Sequence, residues 1–366
     1  MNKEIDFRLL KPENCKLSIL CEGFSGSRHA KTATGVIKYG KWQVKSIIDS
    51  VNAGKSFPEF NNIPVVKDLK SALELSSIDA LLIGIAPVGG KIPESWLEII
   101  KAAIKNKIHI ISGLHEFLNE IDELDKLAKE HAVMLWDLRN PDLYHSSALR
   151  TVAKQKSRDK NLKVITMVGS DCNVGKMCTA LEIQKNLETN KYKASFLATG
   201  QTGIMISGSG VPLDRVIGDF MAGAIENEIE KISINESPEF ILVEGQGSLL
   251  HPGYSGVTLS LLHGSNPDYL ILCLKAGLEY IQGGYEVKIP RVGELINIYE
   301  TASRWTQAQF SPAKIIGISV NTSELDESSA LALINSIKAE CSLPVTDPIR
   351  YGTENLCKAL LERSKI

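Results

Sequence analysis

The chain is short of several features that would decide its class at once. No apolar run exceeds strand length, so no transmembrane helix is expected. The start, Met1-Asn-Lys-Glu-Ile-Asp-Phe7, has charges but no apolar core, so it does not read as a secretory signal. Seven cysteines are scattered without a Cys-x-x-Cys pair, which reads as reduced thiols in a cytoplasmic protein. Neither sign of charge dominates: 41 Lys and Arg stand against 43 Asp and Glu, which gives no support for a nucleic-acid or membrane-surface partner. Repeats and low-complexity segments are also missing. What remains is a small-molecule protein of 366 residues, a length comfortable for two domains.

Strands alternate with helices along the first part. Residues 17–21 read as a buried strand running into the glycine-bearing turn Glu22-Gly-Phe-Ser-Gly-Ser27. A short helix or capped loop is expected over 31–39 and a second strand over 44–48, ending in Asp49. This layout resembles a dinucleotide-binding half, although Gly23 and Gly26 lack the full glycine spacing; Asp49 reads either as a ribose ligand or as a turn or helix cap. Further strands are expected at 80–85, followed by the loop 86–90, at 108–111 and at 134–137, with helices over 93–105 and 120–131. His115 and Glu116 follow the strand at 108–111 and read first as an interface pair. The charge-rich stretch 148–163 reads as a solvated helix and linker. The pattern predicts an α/β protein of two doubly wound parallel-sheet domains, Rossmann-like over 1–155 and P-loop-like over 156–366. The amino-terminal sheet is a candidate either to cover the second domain or to build an oligomer interface.

The second domain opens on its most informative stretch. An apolar run at 164–168 leads into Gly169-Ser-Asp-Cys-Asn-Val-Gly-Lys-Met177, and an amphipathic helix follows. Strand, small-residue loop, Gly-Lys and helix form a phosphate-binding layout: backbone N–H groups converge on an anion and Lys176 adds a full charge. Ser170, Asp171, Asn173, Val174, Gly175, Lys176 and Met177 are the cradle candidates. The fit to a triphosphate loop is incomplete. Ser170 holds the first glycine position, and Met177 replaces the hydroxyl that would ligate Mg²⁺. Thr179 lies roughly 200° further around the helix and cannot take over.

Residues 199–215 read as a long loop rich in glycine and hydroxyls, which suggests close approach of a ligand to backbone. It contributes Thr202 and Arg215. A strand at 239–243 ends in Glu244-Gly-Gln-Gly-Ser248, placing Glu244 where an acid can orient metal, water or substrate. Gln246, Ser248, His251 and Tyr254 follow. Asn321 ends the strand at 315–320 and is a candidate base contact or loop cap. The stretches 199–215 and 244–254 should both emerge at the carboxyl edge of the sheet and line one cleft with Lys176.

The stretches Gly113-Leu-His-Glu-Phe-Leu118, Gly169 to Met177, Thr199-Gly-Gln-Thr-Gly203, Val243-Glu-Gly-Gln-Gly-Ser248, His251-Pro252 and Asp347-Pro-Ile-Arg350 together resemble a two-domain bacterial and archaeal family. It was long known only as a domain of unknown function and is now associated with D-glutamate N-acetyltransferase (DgcN). The carboxyl half also resembles dethiobiotin synthetase, whose loop has threonine where Met177 stands here. The first resemblance implies acetyl transfer from acetyl-CoA to the amine of D-glutamate, with the cradle holding the coenzyme A phosphates and no catalytic metal. Glu244 or His251 is then the candidate base. Arg215, Arg291 and Arg350 are the candidate carboxylate forks. The second resemblance implies the rival, an ATP-dependent ligase or kinase using Mg²⁺. A nucleotide-sensing module and a dehydrogenase role for the first half are weaker readings.

Overall fold

The computed structural model describes residues 10–85, 92–140, 161–306 and 313–364. The loop expected at 86–90, most of the charge-rich stretch 148–163 and the domain boundary at 155 lie outside the described residues. The chain divides into two compact units. The first comprises Met1–Tyr144 with Gln201–Arg215, and the second His145–Gly200 with Val216–Ile366.

The first unit is built on six parallel strands in the order β3-β2-β1-β4-β5-β6, the Rossmann order. They are β1 (Lys16–Leu20), β2 (Gln43–Ile48), β3 (Val65–Val66), β4 (Ala80–Ile83), β5 (His109–Ser112) and β6 (Leu135–Asp137). All four residues of β4 are buried, as a central parallel strand covered on both faces requires. Helices α1 (Lys31–Tyr39), α2 (Leu69–Leu75), α3 (Glu94–Lys105) and α4 (Asp122–His131) provide the crossovers. Asp49 settles as a turn residue. Its carboxylate accepts N–H groups from Gly23 and Ser25 at 3.0 Å and from Val51 and Asn52 at 3.1 Å, which ties the glycine turn to the end of β2.

The second unit has the parallel order β12-β11-β10-β7-β9-β8. Its strands are β7 (Lys163–Gly169), β8 (Ala194–Leu197), β9 (Phe240–Val243), β10 (Tyr269–Lys275), β11 (Lys314–Asn321) and β12 (Val345–Thr346). Helices α5 (Lys176–Thr189), α7 (Gly218–Glu236), α8 (Ser255–Ser265), α9 (Val292–Arg304), α10 (Glu327–Cys341) and α11 (Glu354–Ser364) complete it. Because β7 lies between β10 and β9, the loop after β7 is flanked by the carboxyl ends of both neighbours. No helix among the described residues is long and apolar enough to cross a membrane.

One expectation fails. Residues 199–215 are not an open loop but contain helix α6 (Gln201–Ser207) and a 3-10 turn (Leu213–Arg215). Six successive residues of α6, from Gln201 to Ile206, are buried, and the segment belongs to the first unit. Trp42 Nε1 donates to the Met205 carbonyl at 2.8 Å, and Thr32 and Thr202 pair through their hydroxyls at 3.0 Å. The apolar run Ile204-Met-Ile206 has more to gain from burial than the glycines on either side lose to helix entropy.

Candidate functional site

The loop after β7 is wound for an anion. Asn173 and Gly175 both adopt positive φ, at 54° and 104°. That turns successive N–H groups toward one concavity at the start of α5. Gly175 is needed for its angle, since an L side chain rarely tolerates it. Lys176 is buried rather than splayed into solvent, and its Nζ donates to the Asp171 carbonyl at 2.7 Å. Burial pushes its ammonium below the usual lysine value, against the pull of Cys172, Cys273, Asp171 and Glu244.

Neighbouring strands close around this lysine. Gly245 must lack a side chain: a Cβ there would overlap the Met167 carbonyl and lie 2.6 Å from Lys176 Cδ. Glu244 therefore stands beside Lys176 at the same edge. Its Oε2 accepts the Thr199 and Gly200 N–H groups at 2.8 and 3.1 Å, so the carboxylate holds the turn after β8. Gln246 Nε2 donates to Thr199 Oγ1 at 3.1 Å. Ser248 donates to the Ser170 carbonyl at 3.0 Å, clamping the loop from the other side. Tyr299, on α9, completes that clamp by donating to the Gly169 carbonyl at 2.6 Å and accepting the Leu249 N–H at 3.2 Å. Burial raises its phenol pKa and keeps it a donor.

His251 is buried, stacked on Tyr254 with ring centres 4.3 Å apart and met edge-on by Tyr285 at 4.9 Å. Its Nδ1 accepts the Gly253 N–H at 3.1 Å. The neutral ring therefore carries its proton on Nε2 and offers a donor there. Ligand atoms of His251, Asp171 and Cys172 lie within 4.8 Å of one another, a spacing a metal could use. Part of this donor set also holds backbone, which leaves His251 with Nε2 as its ligand atom. Asp171 takes the Cys172 N–H at 2.6 Å and the Gln282 N–H at 2.8 Å, and His251 Nδ1 is committed to Gly253.

The remaining candidates divide. Val174 is core, Met177 is half-buried, and Asn321 lies against Gly175, with its Oδ1 accepting the Ser323 N–H at 3.0 Å. Thr179 is locked between the Gly175 carbonyl and Ser319 Oγ, at 2.9 and 2.8 Å. Arg350 is a structural tie. Its guanidinium meets Glu327 and the carbonyls of Thr322 and Leu325. Arg291 is exposed and caps α9. Thr202 and Arg215 belong to the first unit, whereas Thr199 and Gly200 belong to the second, where they hold Glu244. Sequence reasoning missed Cys172, Gln282 and Tyr299. Tyr299 falls at core spacing with Leu295 and Ala302, and nothing local marks its hydroxyl.

A loop of this kind between β7 and α5 in one unit, with a Rossmann-ordered sheet in the other, defines a two-unit α/β protein with a P-loop phosphate cradle. The P-loop domain described for the DUF1611 family matches residues 151–357, and the family's Rossmann-like domain matches residues 50–141. This chain belongs to that family. It is 40% identical over 280 residues to a D-glutamate N-acetyltransferase of Tritonibacter scottomollicae, covering 76% of this chain and 80% of that one. A D-glutamate N-acetyltransferase of a Pseudoalteromonas species is 38% identical over 280 residues, covering 75% of this chain and 80% of its own. The crystal structure of a DUF1611 family protein from Anabaena variabilis superposes with a TM-score of 0.84 at 34% identity, over 95% of this chain and all of that one.

Proposed function

We propose that the protein is an amino-acid N-acetyltransferase that moves acetyl from acetyl-CoA to the amine of D-glutamate. The observation that carries this reading is the 40% identity, over most of the chain, to an enzyme of that name. The cradle supports it. The backbone from Asn173 to Met177 and the Lys176 ammonium suit a pyrophosphate, and the position after the lysine offers a thioether instead of a hydroxyl ligand for Mg²⁺.

Acetyl-CoA, as substrate, brings the activated acetyl; the chain must bind it, remove a proton from the attacking amine and stabilise the developing oxyanion. Glu244, at the same edge as Lys176, is the candidate proton acceptor, and its Oε2 also holds the Thr199 and Gly200 N–H groups. His251, protonated on Nε2 in its neutral form, is suited to donate to the oxyanion and ill suited to act as base. Coenzyme A release from acetyl-CoA, measured with D-glutamate present and absent, tests the reading. Amine-dependent thiol release that survives EDTA supports it. Turnover that needs ATP and Mg²⁺ would replace it with the ligase or kinase reading.

A further inference from the structure

The loop between β10 and α9 meets the cradle on one side and His251 on the other. Because β10 pairs with β7, the loop leaves the sheet beside the cradle. An antiparallel bridge between Tyr280 and Lys288 closes it into a hairpin. Ile281 donates its N–H to the Val287 carbonyl at 2.9 Å, and Ile289 donates to that of Glu279 at 2.8 Å. Gly283 and Gly284 turn the tip at φ of 98° and 83°, angles that favour glycine. Ile281 is buried and anchors the hairpin in the second unit.

Gln282, just before the tip, is bound three times. Its N–H donates to Asp171 Oδ2 at 2.8 Å, and its side-chain Nε2 donates to the same oxygen at 3.2 Å and to the Cys172 carbonyl at 3.1 Å. Asp171 is fully buried, and its carbonyl accepts Lys176 Nζ at 2.7 Å. One residue thus joins the cation of the cradle to the hairpin. Beyond the two glycines, Tyr285 is 40% exposed, and its ring meets His251 edge-on at 4.9 Å. A Cβ on Gly253, whose N–H holds His251 Nδ1, would lie 3.8 Å from the Tyr285 hydroxyl. An anion beside Lys176 competes with the Asp171 carbonyl for the ammonium, so cradle occupancy bears on the residue that holds Gln282.

We propose that Gln282 is a positioning residue, which couples occupation of the cradle by a pyrophosphate to the placement of His251 through the hairpin and Tyr285. The two arrangements it links are Lys176 bound to the Asp171 carbonyl and Lys176 drawn to the anion. What changes at the far end is the direction of the His251 Nε2–H. The effect on turnover rests on the acetyltransferase reading, in which that N–H donates to the oxyanion, whereas the coupling itself does not.

Two measurements on the full chain separate the two. Gln282→Met keeps the length of the side chain and removes both of its donors, while the backbone bond to Asp171 stays. In the first, inorganic pyrophosphate is titrated into protein carrying 15N-labelled histidine, and the His251 ring signals, assigned with His251→Gln, are followed by NMR. They should shift in wild type, and by less than about half as much at saturation in Gln282→Met and in Tyr285→Ala. A wild-type signal that stays in place throughout the titration overturns the proposal, and so does a shift of half or more in either variant. In the acetylation assay Gln282→Met should lower kcat about tenfold in the wild-type background and under about twofold in His251→Gln, with KM for acetyl-CoA nearly unchanged. Losses that multiply across the two substitutions mark a merely structural role and overturn the positioning. If wild type acetylates nothing, the acetyltransferase reading fails, and the pyrophosphate titration still decides whether the coupling exists.

Discussion

Lys176 sets the electrostatics of the cradle, and its state should depend on what the cradle holds. Without an anion, burial depresses its pKa. A bound pyrophosphate favours the charged form, so binding takes up a proton wherever the free lysine is neutral. Affinity for coenzyme A should therefore fall as pH rises above the depressed pKa. Calorimetry in buffers of different ionisation enthalpy reads the proton uptake. Lys176→Met should weaken coenzyme A binding by about tenfold or more and flatten that pH dependence. Glu244→Gln keeps one oxygen for the Thr199 and Gly200 N–H groups, so it should lower turnover far more than acetyl-CoA binding if Glu244 takes the proton. Equal turnover in that variant removes Glu244 as base. Gly175→Ala should cost about 1–2 kcal/mol in urea unfolding, because φ of 104° is retained by the fold and disliked by alanine. Residues such as Lys176 and Glu244 were legible because their chemistry follows from local spacing. Arg350 was not: its partners, Thr322 and Leu325, are backbone carbonyls brought alongside only by tertiary folding.

Among the elements, α6 best shows how composition can mislead. Glycines and hydroxyls between 199 and 215 read as ligand-facing loop, yet the segment spends its apolar side on the first unit. Strands were easier, since runs such as Ala80–Ile83 and Phe240–Val243 are apolar throughout and start directly after an acidic residue. Trp42→Phe keeps the ring volume roughly but strands the buried Met205 carbonyl. It should cost on the order of 1–3 kcal/mol and selectively speed amide exchange in α6. The end of β6 makes a second, pH-dependent joint. Asp137 accepts the Leu118 N–H at 3.0 Å and the Asn119 N–H at 3.2 Å, yet burial outweighs these bonds and raises its pKa to about 6. The folded state thus binds this proton more tightly than the unfolded chain, whose value is near 3.8. The stabilisation is full below 3.8 and is lost as pH rises through about 6. Denaturant midpoints of wild type and Asp137→Asn should converge or diverge across that window, and parallel curves would contradict the assignment.

At the scale of the molecule, both sheets are open and parallel, and alternation of short apolar runs with helices made that architecture readable. The division of the chain was not readable, because no local signal marks Gln201–Arg215 as belonging with residues before 145. Residues 1–144 expressed alone should bind a hydrophobic dye and unfold without a sharp transition. In such a fragment Trp42, Thr32 and Arg139 lose Met205, Thr202 and Gln201. A peptide of residues 201–215 added in excess should restore cooperativity, and unchanged melting without it would show that the segment is dispensable. The same discontinuity sets a clock during synthesis. The last piece of the first unit leaves the ribosome 71 residues (215 minus 144) after its main body, or about 4–14 s later at typical elongation rates of about 5–20 residues per second. Through that interval the surface that awaits α6 is bare while the P-loop is being made, so the amino-terminal half stays an unfinished domain until residue 215 has emerged.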